Sequence, residues 1–232
     1  MIEVIAFDAD DTLWHNESLF QETQARLTAI LDRYAPHAEV EARLAETERR
    51  NIKLFGYGIK GFTLSMVETA IEISGRRISA EEIHEIVMMG KAMLDAPLDL
   101  MEGVEQVLGD LKRRHRLLLI TKGDLLDQTN KVERSGLAGH FEAVEIVTEK
   151  DPATYRAIFS RLGYAPEMAV MVGNSLPSDV LPMLEIGGHA VHIPYRVTAV
   201  FDRHEAEIAH DRFHALDNLR DLPDLLRRLH AI

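Results

Sequence analysis

A short apolar run near the amino terminus ends directly in a cluster of carboxylates, and this junction constrains the fold more than any other stretch. Residues 2–7 are mostly apolar and rich in β-branched side chains, which is typical of a buried strand in a parallel sheet. Asp8, Asp10 and Asp11 follow at once, and Thr12 comes next. Ligands of open α/β sheets bind at the carboxyl ends of the strands, so we expect a functional site here.

Two of these carboxylates, Asp8 and Asp10, are separated by a single residue. Carboxylates this close repel each other, and one of them would be driven towards protonation. A bound divalent cation removes that cost, and Mg²⁺ prefers hard oxygen ligands of this kind. A polar turn that closes the strand is the simpler explanation for such a pair alone. We favour the metal site because later segments supply other groups that phosphoryl chemistry needs.

Composition excludes several classes of function. The 232 residues suffice for one sizeable core, or for one domain with a smaller one inserted. A formal net charge of −12 argues against nucleic acid as a partner, since its phosphates require a basic surface. The absence of cysteine excludes disulfides and thiolate chemistry. Without a signal sequence or an apolar run near the ~20 residues that span a bilayer, we predict a cytoplasmic protein that binds no membrane.

The stretch after the first strand has helical periodicity and little strand character. Its apolar side chains recur at helical spacing. Within it, Glu82 follows Ser79 by three positions, which is the pattern of a capping box. We therefore predict an all-helical insertion over residues 16–96, within a main domain made of residues 1–15 and 97–232.

The second predicted strand also ends in polar residues. Residues 116–120 are apolar apart from the first, and they run into Thr121 and Lys122. A hydroxyl at such a strand end can donate to an anion, as can the N–H groups of the turn. A helix N-cap is the simpler explanation of Thr121 taken alone. Lys122 is either a neighbour of a bound phosphate or a solvated lysine.

The next predicted strand, residues 168–172, runs into Gly173, Asn174 and, after a short interval, Asp179. The amide oxygen of Asn174 can bind a cation or a metal-bound water without adding charge. Taken alone, Asp179 is explained as an acid that stabilises a helix dipole. Between these strands, Lys150 stands just before a Pro-containing helix start, where a cation gains nothing from the dipole. That conflict hints at a functional lysine.

The histidines of the last third carry no strong metal signal. His189 and His192 alternate on a predicted strand, but no third ligand has a fitting spacing, so polar strand positions are favoured over a zinc site. His204 and His210 lie in a polar segment for which we predict no element. Residues 216–229 have the spaced leucines of a closing amphipathic helix.

The order of these segments predicts an α/β fold: a Rossmann-like parallel sheet with helices on both faces, plus the all-helical insertion. Four motifs in this order resemble those of the haloacid dehalogenase (HAD) superfamily, in its C1-capped, phosphatase-like branch. Asp8, Asp10 and Thr12 match the first motif, D-x-D-x-T or D-x-D-x-V. Thr121 matches the second motif and Lys150 the third.

Gly173 and Asp179 match the fourth motif, often G-D-x-x-x-x-D, whereas Asn174 replaces its first acid with an amide. The resemblance implies that the insertion is a cap that closes over a substrate and excludes water. It also implies a Mg²⁺ cofactor held by four residues: Asp8, Asp10 through its main-chain carbonyl, Asn174 and Asp179.

The implied activity is hydrolysis of a small phosphorylated metabolite, a phosphate monoester, through a phospho-aspartyl intermediate. Asp8 would be the nucleophile, and Asp10 the acid that protonates the leaving alcohol and the base that then activates water. Thr121 and Lys150 would hold the phosphoryl oxygens, with Lys122 as a further phosphate contact. The family's dehalogenases have no acid at the position of Asp10, so its presence favours phosphoryl transfer.

Three alternatives stay open at this point. A phosphomutase of the β-phosphoglucomutase type uses the same two acids. A HAD scaffold that only binds a ligand has Asn174 as its sole support. A receiver-type signalling domain also combines an acid cluster, a threonine and a lysine, but it is about half this length and lacks the inserted helices. The sequence predicts neither the particular substrate nor the oligomeric state.

Overall fold

The computed structural model describes residues 2–196 and 208–230. By its internal contacts the chain divides into two compact units. The first comprises Met1–Glu17, Leu98–Lys122 and Gln128–Ile232, and the second comprises Ser18–Pro97 and Gly123–Asp127.

A parallel sheet of six strands forms the centre of the first unit, in the order β3-β2-β1-β4-β5-β6. The strands are β1 (Val4–Phe7), β2 (Arg116–Lys122), β3 (Ala143–Val147), β4 (Ala169–Gly173), β5 (His189–His192) and β6 (Phe213–Ala215). The predicted Rossmann-like sheet is confirmed. The first strand of the chain lies near its middle, between β2 and β4.

Alternation of side chains along the strands produces two apolar layers, one on each face of the sheet. Ile5 and Phe7 of β1 belong to one layer, and Val4 and Ala6 belong to the other. The first layer packs with α5 (Val104–Leu111) and α9 (Leu222–His230), and the second with α7 (Pro152–Leu162) and α8 (Leu181–Glu185). Because all four residues of β1 are fully buried, both faces of this strand contribute to the core.

The second unit contains helices with an apolar core of their own, and the predicted all-helical insertion is confirmed. The chain forms α1 (Glu17–Leu31), α2 (His37–Phe55), α3 (Ile59–Ile73) and α4 (Ala80–Asp95). The core of this unit is built from buried side chains of all four helices, among them Leu27, Leu44, Met66 and Ile86. The predicted capping box is present, since the Glu82 N–H donates to Ser79 Oγ (3.1 Å) and the Ser79 N–H donates to Glu82 Oε2 (2.9 Å).

The carboxyl-terminal part differs from the prediction in two respects. Residues Phe213–Ala215 form β6, a strand that the sequence did not suggest, because three residues are too short to display a period. The closing helix α9 begins at Leu222, later than predicted. Asn218 instead caps a short 3₁₀ turn, Leu219–Asp221, by accepting a hydrogen bond from the Arg220 N–H (2.9 Å).

The histidines at this edge of the sheet have partners within the protein. The rings of His189 and His214 stack with centroids 5.8 Å apart, and burial lowers the pKa of His189 to about 4. His210 Nδ1 accepts a hydrogen bond from the Arg212 N–H (3.1 Å). His204 lies outside the described residues. In the part of the chain that the structure describes, no helix has the length and apolar character needed to cross a membrane.

Candidate active site

Register in the parallel sheet brings the polar residues that follow three strands to one edge. Phe7 pairs with Leu119 on one side and with Val172 on the other. The Asp8 N–H continues the ladder by donating to the Val172 carbonyl (2.9 Å). The site is therefore assembled from segments far apart in sequence at the carboxyl ends of β1, β2 and β4, as expected for an open α/β sheet.

A buried lysine bridges two buried carboxylates at this edge. Lys150 Nζ donates to Asp8 Oδ1 (2.5 Å) and to Asp179 Oδ1 (2.7 Å). The exposed fraction is 4% for Lys150, 7% for Asp8 and 1% for Asp179. A buried charge is tolerated only when it is paired and hydrogen-bonded, and here two carboxylates share one ammonium. The three groups together carry a net negative charge when all are ionised.

Burial and pairing act in opposite directions on these groups. Burial raises the pKa of the Asp8 carboxyl to about 7, and the nearby Lys150 ammonium opposes that rise. Burial works against the charge on Lys150, but attraction to Asp179 and Asp8 outweighs it and holds the pKa of Lys150 above its ordinary value. The lysine is thus a fixed cation, while Asp8 needs positive charge nearby to stay ionised at neutral pH.

The position of Lys150 follows from the helix start that comes after it. Asp151 is the N-cap of α7 and accepts a hydrogen bond from the Thr154 N–H (2.7 Å), and Pro152 occupies the first turn. One turn into the helix, Tyr155 is fully buried and its hydroxyl donates to the Ser178 carbonyl (3.1 Å). This cap and this contact fix the helix that begins directly after the lysine.

The close approach of Asp179 to β4 requires a glycine. Asp179 lies on the π-helical turn Leu176–Val180, and its Oδ2 accepts a hydrogen bond from the Ser175 N–H (3.0 Å). A Cβ added at Gly173 would lie 2.1 Å from Asp179 Oδ2 and 2.3 Å from its Cγ. Any side chain at position 173 would therefore displace the acid that binds Lys150.

The side-chain amide of Asn174 lies among oxygen atoms of the first loop, the one that follows β1. With the amide oriented to satisfy its hydrogen bonds, the nitrogen donates to Asp8 Oδ2 (3.2 Å), Thr12 Oγ1 (3.2 Å) and the Asp10 carbonyl (3.3 Å). Thr12 Oγ1 in turn donates to Asp8 Oδ2 (3.1 Å). His192 Nε2 donates to the main-chain oxygen of Asn174 (2.9 Å) and steadies this residue from β5. Three oxygens thus converge on one side-chain atom of Asn174.

Thr121 presents a buried hydroxyl to the end of β2. The residue is 1% exposed, and within residues 2–196 and 208–230 its Oγ1 has no hydrogen-bond partner. An unsatisfied buried polar group destabilises the fold by about 1–3 kcal/mol. A hydroxyl kept in this state is suited to donate a hydrogen bond to a ligand. Lys122 differs, because its Nζ already donates to Ser178 Oγ (3.0 Å) and to Glu149 Oε1 (3.3 Å).

The carboxylate of Asp10 is held by three side chains. Trp14 Nε1 donates to Oδ1 (2.6 Å), Gln128 Nε2 donates to Oδ2 (2.7 Å), and Lys131 Nζ lies 3.1 Å from both oxygens. Lys131 Nζ also donates to Asn16 Oδ1 (2.8 Å). Sequence reasoning assigned no role to these partners, since only the fold brings α6 (Leu125–Arg134) to the first loop.

Asp11 has a structural explanation. It adopts a positive φ of 62°, and its carboxylate accepts hydrogen bonds from the N–H groups of Asn16 (2.9 Å) and Glu17 (3.0 Å) at the start of α1. Burial raises the pKa of this carboxyl to about 7. Of the three acids after β1, Asp11 shapes the turn that leads into α1.

Most of the predicted site residues therefore lie together, but the oxygen atoms that could bind a cation belong to several different chemical groups. Asp8, Thr12, Lys150, Asn174 and Asp179 form one hydrogen-bonded network. Among the described residues, no group of three or more His, Cys, Asp or Glu side chains is arranged to hold a metal ion. The reason is visible here: beside the two carboxylates, the remaining oxygens come from an amide, a hydroxyl and a main-chain carbonyl.

Known proteins resemble most or nearly all of the chain. Residues 2–187 match the family model for haloacid dehalogenase-like hydrolases. A haloacid dehalogenase-like family hydrolase from Xanthomonas campestris has a similar structure, with a TM-score of 0.90 and 40% identity, over 99% of this chain and 92% of that chain. Human N-acylneuraminate-9-phosphatase is 25% identical over 197 residues, 80% of this chain and 79% of the relative. The glyceraldehyde 3-phosphate phosphatase of Methanothermobacter thermautotrophicus is 25% identical over 228 residues, 94% of each chain.

Proposed function

The chain belongs to the haloacid dehalogenase-like hydrolases, and from this we propose that it is a Mg²⁺-dependent phosphatase that forms an aspartyl phosphate on Asp8. The observation that carries the proposal is the buried Asp8–Lys150–Asp179 network, together with the Thr121 hydroxyl, which has no hydrogen-bond partner among the described residues. The phosphatase names of the two curated relatives add support.

Asp8 is the nucleophile in this proposal. One of its oxygens forms a bond to phosphorus while the bond from phosphorus to the substrate oxygen breaks. Asp10 gives a proton to the departing alcohol, then takes one from the water that attacks the phosphorylated Asp8. Phosphate leaves, and Asp8 returns as a carboxylate. Lys150 favours the ionised nucleophile because its ammonium lies 2.5 Å from Asp8 Oδ1.

The phosphoryl oxygens need donors that do not have to reorganise during the reaction. We assign Thr121 and Lys150 to this task, since the hydroxyl is without a partner among the described residues and the ammonium is fixed by two carboxylates. Lys122 is a candidate for a further contact with phosphate. To make it, the Lys122 ammonium would give up its hydrogen bond to Ser178 or Glu149.

The residues around Asn174 fit a Mg²⁺ ion. Asp8 Oδ2 and the Asp10 carbonyl both face its amide, and a half-turn of the amide would present a third oxygen. Asp179 completes the proposed set with negative charge, although its two oxygens bond Lys150 and Ser175. Mg²⁺ commonly binds through one or two carboxylates and keeps several waters. When bound, the ion supplies positive charge that favours ionised Asp8 and offsets the charge of the phosphoryl group.

We assign the two parts of the chain different tasks. Residues 1–15 and 97–232 form the catalytic core, and residues 16–96 form a helical cap that excludes water and selects the substrate. The proposed substrate is a small phosphorylated metabolite, in line with the names of the human and Methanothermobacter phosphatases described above. The proposed location is the cytoplasm.

The test is hydrolysis of p-nitrophenyl phosphate with Mg²⁺ and with EDTA, by the wild type and by Asp8→Asn. Asp110→Asn, which changes an exposed carboxylate outside this network, is the matched control. We expect hydrolysis that needs Mg²⁺, survives in the control and is lost in Asp8→Asn, with labelled phosphate trapped on Asp8 by acid quenching. Unimpaired hydrolysis in Asp8→Asn would refute the nucleophile.

Asn174 in place of an acid is the observation that favours the second candidate, a scaffold that binds a ligand without turning it over. A wild type that binds Mg²⁺ in a calorimetric titration, yet hydrolyses no phosphate ester from a broad panel, would support it. Transfer of phosphate between two positions of one sugar, instead of to water, would point to a phosphomutase.

A further inference from the structure

Two residues of helix α6 contact the carboxylate of Asp10 through their side-chain nitrogen atoms. Gln128 Nε2 donates to Oδ2 at 2.7 Å, and Lys131 Nζ lies 3.1 Å from both oxygens. The two residues are three positions apart on α6, so they lie on the same face of that helix. On the other side, Trp14 Nε1 donates to Oδ1 at 2.6 Å. Both oxygens of Asp10 are therefore held.

The three side chains that bond the Asp10 carboxylate are buried, although two of them are long and polar. The exposed fraction is 2% for Gln128, 8% for Lys131 and zero for Trp14. Burying a glutamine and a lysine restricts side chains that have much rotational freedom in the unfolded chain. Lys131 is further fixed because its ammonium also donates to Asn16 Oδ1 (2.8 Å).

Charge neutralisation alone does not explain this arrangement. An ion pair with Lys131 would satisfy the charge of Asp10, yet the neutral Gln128 is buried beside it. Within the described part of the chain, the amide oxygen of Gln128 has no hydrogen-bond partner. Such an unsatisfied buried acceptor destabilises the fold. Among the described residues, the amide oxygen of Gln128 thus stays unpaired while its amide nitrogen bonds Asp10.

We propose that Gln128 and Lys131 are positioning residues that fix the orientation of the Asp10 carboxyl group for proton exchange with the leaving oxygen and with water. The inference rests on the proposed function, in which Asp10 carries out both proton transfers. Neither residue touches the substrate in this proposal. They act through Asp10, because a proton donor a fraction of an ångström out of place transfers its proton poorly.

The test compares two substrates of nearly the same shape. Phenyl phosphate releases a phenol whose pKa is about 10, as for a tyrosine side chain, and this leaving group profits from a proton. p-Nitrophenyl phosphate releases a far less basic phenolate, which leaves without one. The readout is the ratio of kcat/KM for p-nitrophenyl phosphate to that for phenyl phosphate. A general loss of folded enzyme lowers both values together and does not move this ratio.

We expect Gln128→Met and Lys131→Met, which keep side-chain length but remove the donors, to raise the ratio by about tenfold, a fraction of what a general acid contributes. Asp10→Asn should raise it at least as much. Lys131→Arg, which keeps a cation on a long stem, should restore most of the wild-type ratio. Glu133→Gln, an exposed change on the same helix, should leave it unchanged.

Each remaining outcome overturns a distinct claim. If Asp8→Asn keeps hydrolysing both esters, the proposed function fails and the positioning role fails with it. If Asp8→Asn is inactive but the ratio in Gln128→Met and Lys131→Met equals that of the wild type, only the positioning role fails. Should Lys131→Met not fold, Gln128→Met and Lys131→Arg decide the question by the same ratio.

Discussion

Removing the ammonium of Lys150 should destabilise the fold strongly. Lys150→Met keeps the apolar stem of a residue that is 4% exposed, but it leaves Asp8 and Asp179 without the cation that lies 2.5 Å and 2.7 Å from their oxygens. Breaking a buried pair by removing one partner costs about 3–5 kcal/mol. We expect a loss of that size in the free energy of unfolding at pH 8, measured in EDTA.

The loss should shrink in acid, because the Asp8 carboxylate, left without its cation, can take up a proton. Burial raises the pKa of Asp8 from 3.8 to about 7, and attraction to Lys150 is the main influence that limits the rise. Without Lys150, folded Asp8 holds its proton to a higher pH, while the unfolded chain still releases it near pH 4. The stability of the variant therefore falls more steeply than that of the wild type as pH rises. At about 1.4 kcal/mol per pKa unit, the loss should be at least ~1 kcal/mol smaller at pH 5 than at pH 8.

Urea denaturation at both pH values measures these quantities. A thermal melt should show a drop of about 6–20 °C at pH 8, at the ~2–4 °C per kcal/mol typical of this chain length. Lys122→Met is the matched control, since its ammonium pairs with the half-exposed Glu149 and its loss should cost about 1 kcal/mol or less. Adding Asp8→Asn to Lys150→Met should recover part of the loss. A loss below about 1 kcal/mol, or an equal loss at both pH values, would refute the reasoning.

Further predictions concern single side chains of the same site. Thr121→Val removes a hydroxyl that has no partner among the described residues; it should leave the melting temperature unchanged or raise it while raising KM for a phosphate ester, and a lower melting temperature would contradict this. Gly173→Ala puts a Cβ 2.1 Å from Asp179 Oδ2 and should lower the free energy of unfolding by about 1–3 kcal/mol, measured by urea denaturation. Gly139→Ala is the control, because its Cβ would meet nothing within 4 Å. In EDTA the raised pKa of Asp8 should make the wild type lose stability as pH rises from about 4 to about 7; Asp8→Asn should flatten this slope, and parallel slopes would argue against the buried acid.

The local sequence pattern was enough to predict features that depend on one strand and the residues directly after it. The β-branched run before Asp8 predicted β1, and the polar residues after two further apolar runs predicted which strand ends meet. Parallel strands in one sheet have a common carboxyl edge, so Asp8, Asn174 and Asp179 could be expected to lie together, as they do in one hydrogen-bonded network.

Pattern failed where a contact joins polar residues of distant segments. Gln128 and Lys131 are good helix formers and have the composition of a solvated helix face, yet they are buried against Asp10. Trp14 is fully buried, and its indole N–H donates to Asp10, a contact that no local pattern indicated. The strand β6 was missed because its length of three residues gives no detectable alternation.

The central place of β1 in the sheet has a consequence for synthesis on the ribosome. Both neighbours of this strand come much later in the chain, since Val4 pairs with Arg116 and with Ala169. At about 5–20 residues per second, β1 is made roughly 8–30 s before β4. Until β2 is made, roughly 5–20 s after β1, these four residues, which end up fully buried, have no partner strand, whereas residues 18–97, with an apolar core of their own, are made before β2. The nascent chain therefore carries an unpaired, aggregation-prone β segment ahead of a helical block, and the length of that block helps set how long the strand must wait.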